Sequence, residues 1–284
     1  MNSSAQVSPI PTPAMPRHPE HHTDYPILSI SGLTVAYESG LALEDVSFTL
    51  NTGERMAVVG PNGAGKSTLF KVIAGLLKPE KGLVNIYGEA PNMHNCIAYL
   101  PQHAHVDWNF PVTVSDVVMM GRTQKIGFLR WATGRDRKVV ANALDTVGLG
   151  DFSKRQISQL SGGQQQRMFI ARALAQEADL MLLDEPVTGL DTPSQEELFT
   201  VLDSLRQQQV TVMIALHDLQ LAATSFDRAL LLNRRLIGIG APAEVFTTEM
   251  LSQAYGDKSQ VNFEGRTLSG IDNSCCGEEE ESNA

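Results

Sequence analysis

The fold is decided by Gly60-Pro61-Asn62-Gly63-Ala64-Gly65-Lys66-Ser67, which fits the phosphate-loop pattern at every position. A short apolar strand, Arg55–Val59, leads directly into this stretch. After it, apolar residues repeat at helical spacing from about Lys66 to Leu77, where Pro79 prevents the helix from continuing. Strand, glycine-rich turn and helix form the context that this motif requires. We therefore expect the loop backbone to wrap phosphates, Lys66 to neutralise them and the Ser67 hydroxyl to bind Mg²⁺.

A second glycine-rich helix start lies at Leu160-Ser161-Gly162-Gly163-Gln164. Such a turn points backbone N–H groups and the positive end of the helix dipole at an anion. One nucleotide does not need two such cradles from one chain. Two chains arranged head to tail do need them, because each can close its second cradle over the nucleotide held by the other's first. The pair of motifs is therefore compatible with two copies of this chain arranged head to tail.

Two carboxylates, Asp184 and Glu185, follow the apolar strand Leu180–Leu183. The carboxyl ends of parallel strands are where α/β sheets bind ligands. An acidic pair after a strand is often only a solvated loop edge, but this pair follows a phosphate loop in the same sheet. We expect one acid to hold the Mg²⁺ shell and the other to polarise a water for attack on the γ-phosphate.

Three more side chains follow predicted strands. His217 comes after Val210–Ala215 and is a candidate γ-phosphate contact, although a lone histidine is usually structural. Gln102 follows Ile97–Leu100, where its amide can reach both the metal shell and the next segment. Tyr37 ends an early strand and is either an adenine-stacking residue or a core aromatic.

Strands alternate with helices along most of the chain, which predicts an α/β fold with a mostly parallel sheet and a phosphate-loop nucleotide-hydrolase core. Near the N-terminus, strand-like stretches predict an antiparallel β subdomain: Ile27–Ile30, Thr34–Tyr37 and Leu43–Leu50. Between about 111 and 160 the strand signal vanishes. An inserted helical lobe is expected there, with helices at Thr113–Met120 and Lys138–Val147.

The expected domain boundaries follow composition. Residues 1–25 hold five prolines and little to bury, which predicts a disordered arm. Residues 26–265 form the α/β domain, and 266–284 form a polar, acidic tail. A flexible arm rarely organises a metal site, so we do not expect one at its histidines, His18, His21 and His22.

Composition excludes several function classes. Of the 284 residues, 42% are hydrophobic and 19% are charged, as in an ordinary globular protein. No run of 18 apolar residues is present, and the first 25 residues lack the plan of a signal peptide. The net charge of −10 argues against nucleic acid as a partner and against direct adhesion to anionic lipid.

Three cysteines indicate a reducing compartment without a disulfide framework. Cys96 lies beside a predicted strand and is expected to be a small buried hydrophobe. Cys275 and Cys276 are adjacent in the tail, as either a redox or metal-sensing pair or part of an unstructured segment. The second interpretation is favoured, because no histidine or further cysteine supplies the remaining ligands.

In this order, the motifs resemble the ATP-binding cassette (ABC) ATPase family over residues 27 to about 255. Gly60–Ser67 is similar to its Walker A motif, Leu180–Glu185 to Walker B and Leu160–Gln164 to its signature motif. Four more positions match the Q-loop, the D-loop, the switch histidine and the adenine-stacking aromatic: Gln102, Gly189-Leu190-Asp191, His217 and Tyr37. Walker A alone is common, but seven motifs in this order are highly specific.

The resemblance implies an ATPase that uses ATP and Mg²⁺. It assigns catalysis to Glu185, His217 and Gln102, and Mg²⁺ binding to Ser67, Gln102 and Asp184. The residues that it assigns to ATP binding are Tyr37, Gly60, Pro61, Asn62, Gly63, Ala64, Gly65, Lys66, Ser67, Thr68, Ser161, Gly162, Gly163 and Gln164.

A finer resemblance lies in Val106–Arg122, which is similar to the ATPases of manganese, zinc and iron-chelate uptake systems. In that family this region borders the groove that receives a short helix of the membrane subunit. Trp108 and Phe110 are also suited to anchoring the lobe to the core, and the two roles are compatible.

The resemblance thus implies an importer subunit for a transition metal, with manganese first, zinc second and chelated iron third. Its implied partners are a second copy of itself, integral membrane permease subunits and, indirectly, a periplasmic or lipid-anchored metal-binding protein. The implied location is the cytoplasmic face of the inner membrane. The alternatives are a non-transport cassette ATPase, such as an iron–sulfur cluster assembly factor, and a P-loop kinase. The signature helix argues against the kinase.

Overall fold

The computed structural model describes residues 25–91, 96–102, 106–127 and 130–256, and the strands at 261–263 and 266–268. Most of the predicted N-terminal arm, with His18, His21 and His22, lies outside the described residues. So do Cys275 and Cys276 of the predicted tail.

The strands are β1 (Leu28–Tyr37), β2 (Gly40–Leu50), β3 (Arg55–Val59), β4 (Lys81–Ile86), β5 (Ile97–Leu100), β6 (Leu180–Asp184), β7 (Thr211–Leu216), β8 (Arg228–Asn233), β9 (Arg235–Gly240), β10 (Val261–Phe263) and β11 (Arg266–Leu268). The helices are α1 (Lys66–Ile73), α2 (Val114–Met120), α3 (Thr123–Ile126), α4 (Gly134–Thr146), α5 (Gly162–Ala175), α6 (Thr192–Gln207), α7 (Leu219–Ser225), α8 (Pro242–Val245) and α9 (Thr248–Tyr255). Two short 3₁₀ turns lie at Gly150–Phe152 and Ile157–Gln159.

The central sheet has six strands in the order β5-β6-β7-β3-β8-β9. All neighbours are parallel except β9, which pairs antiparallel with β8. Every residue of β3, β6 and β7 is buried, because both faces are covered. One face packs on α1 and the N-terminal sheet, and the other on α5, α6 and α7. This arrangement confirms the predicted α/β phosphate-loop fold.

The N-terminal sheet is antiparallel, in the order β2-β1-β4. The two strands predicted at Ile27–Ile30 and Thr34–Tyr37 are one strand, β1. Its pairing with β2 shifts register between Ile30 and Leu33, where Gly32 has a φ of 59°. A bulge at this glycine lets the strand continue. Because the bulge interrupts the alternation of apolar and polar residues, the sequence pattern predicts two strands there.

Helix α1 ends at Ile73, so the predicted extension to Leu77 was wrong. Gly75 has a φ of 71°, and its N–H donates to Val72 O at 3.0 Å. The next N–H, from Leu76, donates to Lys71 O at 2.8 Å. These two bonds form a Schellman motif, so the glycine ends the helix before Pro79 does.

The segment between β5 and α5 is helical. Helices α2 and α4 each begin at a capping box, formed by Thr113 with Asp116 and by Thr133 with Asp136. The second box starts α4 at Gly134 rather than at the predicted Lys138. Helix α5 packs against α2 and α4 on one side and against α6 and β5 on the other. It therefore connects the lobe to the core.

Several features were not predicted. Helices α8 and α9 follow β9, and the antiparallel pair β10–β11 spans the expected boundary at residue 265. Cys96 is buried as expected, and burial raises the pKa of its thiol to about 12. Within the described ranges, no helix combines the length and the apolar character needed to cross a membrane.

Candidate nucleotide site

The phosphate loop joins β3 to α1 and holds its lysine inward. Lys66 is buried, and its Nζ donates to Gly60 O at 2.8 Å and to Pro61 O at 3.2 Å. Burial lowers the pKa of Lys66, and the nearby Glu185 and Asp184 carboxylates oppose that shift. The ammonium group is thus held within the loop, where an anion offers it a stronger partner than carbonyl oxygens do.

Two glycines of the loop lie too close to neighbouring backbone for a side chain. A Cβ on Gly60 would lie 2.0 Å from Leu232 O, and one on Gly65 would lie 2.6 Å from Ala42 O. Gly65 also has a φ of 98°, which other residues rarely adopt. The turn between β8 and β9 supports the loop, since the Arg234 N–H donates to Ala64 O at 2.8 Å.

Gln102, Glu185 and His217 converge although they are far apart in sequence. They follow β5, β6 and β7, which are neighbouring parallel strands. Gln102 Nε2 donates to Glu185 Oε2, and His217 Nε2 lies against Glu185 Oε1. Both oxygens of the buried carboxylate are therefore held by side chains from the two adjacent strands.

Glu185 also has an unusual backbone. Its φ is 52°, in the left-handed region that costs a residue with a side chain about 1–3 kcal/mol. Its N–H donates to Ala215 O at 3.2 Å, which holds the residue against the end of β7. A strained residue at the end of a core strand is typical of functional sites.

Asp184 is buried beside the phosphate loop with one oxygen unsatisfied. The Tyr99 hydroxyl donates to its Oδ2 at 3.3 Å and the Ser67 hydroxyl also bonds the carboxylate, but Oδ1 has no hydrogen-bond partner among the described residues. Burial and the charge of Glu185 raise the pKa of Asp184. A buried carboxylate oxygen next to a serine hydroxyl is the donor set that Mg²⁺ prefers.

Most of these residues line one open cleft of about 660 Å³, but Asp184 is not among the lining residues. From the predicted set, the cleft is lined by Tyr37, Asn62, Gly63, Ala64, Gly65, Lys66, Ser67, Thr68, Gln102, Glu185 and His217. Tyr37 is 43% exposed at the mouth, which does not fit a core aromatic, and its hydroxyl lies 3.4 Å from Thr68 Oγ1. Gly60 and Pro61 form the base of the loop through the carbonyls that Lys66 contacts.

Sequence reasoning missed part of the lining. The start of β2, from Ser39 to Ala42, together with Thr188 and Arg234, also borders the cleft. No motif marks these residues. The φ of 59° at Arg234 belongs to a tight turn that Asn233 precedes, but arginine is not a residue type that predicts a positive φ.

The predicted second cradle is separate from this cleft. Ser161 and Gly162 are exposed, and none of Ser161, Gly162, Gly163 and Gln164 is among the residues that line the cleft. Ser161 caps α5 in a capping box, in which its N–H donates to Gln164 Oε1 at 3.1 Å and its Oγ accepts from Gln164 N at 3.4 Å. This box does not use the N–H group of the exposed Gly162, which can therefore donate to an external anion.

Trp108 and Phe110, which were expected to have the same anchoring role, have different environments. The Trp108 ring meets Phe169 of α5 edge to face, with centroids 6.0 Å apart, and so packs the segment after β5 onto the lobe. Phe110 is 57% exposed. Trp108 thus has the anchoring contact expected of both, and Phe110 is left at the surface.

Comparison with known proteins points to one family. The family profile described as ABC transporter matches residues 43–188. The chain is 44% identical over 232 residues to the manganese transport system ATP-binding protein MntB of Bacillus subtilis, covering 81% of this chain and 93% of that protein. It is also 44% identical over 232 residues to the zinc transport system ATP-binding protein TroB of Treponema pallidum, covering 81% and 87%. Among solved structures it resembles a metal-chelate type ABC transporter in an inward-facing conformation, with a TM-score of 0.74 and 31% identity over 85% of this chain and 95% of that one.

Proposed function

Because the chain belongs to the ABC transporter family and is an ABC ATPase, we propose that it energises the uptake of a transition metal ion. Manganese is the first candidate cargo, followed by zinc and chelated iron. The observation that carries the proposal is the similarity to ATP-binding proteins of manganese and zinc transport systems over most of both chains. No residue of this chain need touch the cargo, so the metal is assigned by similarity and not by a ligand set.

ATP is bound by the phosphate loop. The loop N–H groups and Lys66 surround the β- and γ-phosphates, which replace the carbonyl oxygens that Lys66 contacts in this structure. Tyr37 lies at the mouth of the same cleft, where its exposed ring is available for stacking on adenine.

Hydrolysis uses Glu185 as the general base. A water attacks the γ-phosphorus, its proton passes to Glu185, and the bond to the β–γ bridging oxygen breaks so that ADP leaves with the electron pair. Before the phosphate arrives, Gln102 and His217 hold the two carboxylate oxygens and so fix the direction in which Glu185 points. The arriving phosphate gives both side chains an alternative partner and frees Glu185 to bind the water.

Asp184, Ser67 and Gln102 are proposed to hold Mg²⁺. The unsatisfied Oδ1 of Asp184, the Ser67 hydroxyl beside it and the amide oxygen of Gln102 supply hard oxygen ligands. When bound, the cation neutralises charge on the phosphate oxygens. A bound cation would oppose the effect of burial on the pKa of Asp184, because the carboxylate would gain a counter-charge.

A second copy of the chain completes each site. The N-terminus of α5 exposes Ser161 and Gly162, while Gly163 is buried and Gln164 is half-buried, and none of the four lines the cleft of its own chain. In a head-to-tail dimer, these groups bind the γ-phosphate of the nucleotide that the partner holds.

The dimer works beneath two integral membrane permease subunits at the cytoplasmic face of the inner membrane. A periplasmic or lipid-anchored binding protein delivers the metal to that permease. Scarce and strongly bound metals make uptake driven by ATP physically reasonable. The Val106–Arg122 segment is proposed to face the permease, and its Phe110 and Met120 are exposed for such a contact, at 57% and 50%.

A strain that lacks this ATPase tests the cargo. It should grow poorly when manganese is limiting, recover when manganese is in excess, and contain less manganese while other nutrients stay level. The wild-type gene should restore growth, and a Glu185→Gln version expressed to the same level should not. If zinc or iron falls instead, the order of cargoes is wrong. If only the uptake of a sugar, an amino acid or phosphate fails, the metal assignment is wrong and the ATPase assignment stands.

Detergent extraction tests the partner. A stable complex with a polytopic membrane protein is expected from an importer subunit. If the native protein purifies without one from gently solubilised membranes and from the soluble fraction alike, a non-transport cassette ATPase becomes the better proposal.

A further inference from the structure

One segment of the lobe has a charge opposite to that of the whole chain. The chain holds 22 Lys and Arg against 32 Asp and Glu, but residues 117–144 hold six basic residues and a single acid, Asp136. This segment covers most of α2, α3 and most of α4.

The single acid of the segment points inward. Asp136 is buried, and its Oδ1 accepts from Arg122 Nε at 3.1 Å. Lys125 is paired with Glu177. The remaining four basic residues are exposed, and no ion pair is found for them within the described residues: Arg130, Arg135, Arg137 and Lys138. The exposed charges of this segment are therefore all positive.

A tryptophan lies among these cations. Trp131 is 93% exposed, whereas the other tryptophan, Trp108, packs on Phe169. An exposed indole gains nothing from folding, because its apolar ring stays in water. We call Trp131 together with Arg130, Arg135, Arg137 and Lys138 the basic loop.

Helix stability does not explain the basic loop either. Arg135, Arg137 and Lys138 lie in the first five residues of α4, which begins at Gly134. Cations there face the positive end of the helix dipole, a placement that lowers helix stability. These side chains are therefore better explained by a partner than by the fold.

We propose that the basic loop binds an anionic lipid surface. Its four cations contact lipid phosphates and the Trp131 ring inserts at headgroup level, where the apolar body and the polar N–H of an indole are both satisfied. The overall charge of −10 does not prevent this, because screening limits electrostatic effects to about 8–10 Å at physiological salt. The net charge of the whole chain therefore does not exclude lipid adhesion at this one surface.

The inference rests on the proposed function in one respect, which is that a permease brings the chain to a membrane. Such a contact would orient the lobe relative to the bilayer while the permease holds the ATPase in place. It concerns no residue of the nucleotide cleft, so its failure leaves the ATPase assignment untouched.

Vesicle co-sedimentation of the full-length protein tests the proposal. Binding is expected with phosphatidylcholine vesicles that contain phosphatidylglycerol, and not with phosphatidylcholine alone. Each basic residue near an anionic surface contributes about fivefold, so the combined Arg135→Gln, Arg137→Gln, Lys138→Gln variant should bind roughly 100-fold more weakly. A matched variant with three exposed lysines changed, Lys71→Gln, Lys78→Gln, Lys81→Gln, carries the same net charge and should bind as the wild type does.

The tryptophan gives a second readout. In a Trp108→Phe background, Trp131 emission should shift to shorter wavelength on adding anionic vesicles, and lipids brominated near the headgroup should quench it. Trp131→Ala should weaken vesicle binding, whereas Leu76→Ala, at another exposed apolar residue, should not. ATP hydrolysis in solution should be unchanged in all these variants.

Four outcomes would overturn the proposal. Equal binding to both kinds of vesicle, or equal loss in the two triple variants, would mean that the basic loop has no special role. Tighter binding to RNA than to anionic vesicles at the same salt would assign the surface to nucleic acid. Absence of vesicle binding, combined with loss of permease co-purification in the basic-loop variant, would assign it to a protein contact.

Discussion

The phosphate loop and the start of α5 are built alike and placed differently. Both are glycine-containing turns that open a helix and present backbone N–H groups. The phosphate loop is surrounded by its own chain, with Lys66 only 5% exposed and Gly60 against Leu232 O. The start of α5 is capped by its own residues, Ser161 and Gln164, and opens to solvent.

The difference lies in what each turn lacks. The phosphate loop has a cleft, a buried cation and three converging side chains, so the groups proposed to hold a nucleotide come from one chain. The start of α5 has donors but no cleft. In the proposed head-to-tail dimer, the start of α5 takes its ligand from the partner's phosphate loop, and the two turns are then halves of one site.

The largest effect is expected from a change in the phosphate loop. Lys66→Ala should abolish useful ATP binding, because the phosphates lose the only basic side chain of their loop. Calorimetric titration with ATP measures this, and circular dichroism confirms that the variant is folded. Normal nucleotide affinity in a folded Lys66→Ala protein would remove the distinction between the two turns.

A change at the start of α5 should block ATP hydrolysis and leave ATP binding intact. Ser161→Arg should leave ATP binding to the monomer intact and block turnover, because the side chain fills the space into which the partner's γ-phosphate docks. Thr247→Arg, at the exposed cap of α9, is the matched control and should be active. Mixing Ser161→Arg with Lys66→Ala should restore part of the activity, since their heterodimer keeps one intact composite site. A fully active Ser161→Arg homodimer would refute the role in the partner's site.

Glu185→Gln should stabilise the dimer in which the phosphate loop of one chain meets the start of α5 of the other. Loss of the general base should slow hydrolysis about 10²–10⁴-fold while ATP binding is kept. Because the ATP-bound pair persists, the variant should elute as a dimer with ATP and as a monomer without it on gel filtration. Turnover at the wild-type rate would place the base elsewhere.

Two glycine-to-alanine substitutions compare how much space each turn leaves for a Cβ atom. Gly65→Ala should lower the unfolding free energy by about 1–3 kcal/mol, because its φ is 98° and the new Cβ meets Ala42 O. Gly162→Ala should change it by less than about 0.5 kcal/mol, since its Cβ meets only Leu190 at 3.6 Å. Urea denaturation of both variants decides the matter, and equal losses would mean that the outer turn is packed as tightly as the inner one.

The smallest effect concerns the lobe that carries α5. Hydrogen bonds from Thr133 and then the Arg122 charge lower the pKa of Asp136 to about 2 from an ordinary 3.8. A lowered folded-state pKa stabilises the fold above the unfolded value and loses that contribution as pH falls through the folded value. The difference in Tm between wild type and Asp136→Asn should thus be constant above about pH 5 and shrink between pH 4 and pH 2. A difference that stays constant down to pH 2 would show that Asp136 stabilises by shape and not by charge.

Local motifs predicted the elements that carry the site but not their ends. Strand, loop and helix around Lys66 follow from periodicity and glycine spacing. The predicted end of α1 was wrong because Gly75 forms a Schellman motif that ends the helix earlier. The predicted start of α4 was wrong because the capping box at Thr133 starts the helix earlier. Gly75 and the Thr133–Asp136 pair are both present in the sequence. The predicted ends rested instead on Pro79 for α1 and on hydrophobic periodicity for α4.

By itself, the sequence determined which residues have the chemistry, because phosphate binding and acid–base catalysis need particular groups at short, local spacings. Only the tertiary structure decided which of them meet. Gln102, Glu185 and His217 converge because β5, β6 and β7 are adjacent in the sheet, a long-range pairing that no local pattern contains. Burial likewise decided that Asp136 points inward while Trp131 remains in water, and so left a positive surface on a negatively charged chain. Local spacing selects the functional groups, whereas packing over long sequence distances sets their geometry and exposure.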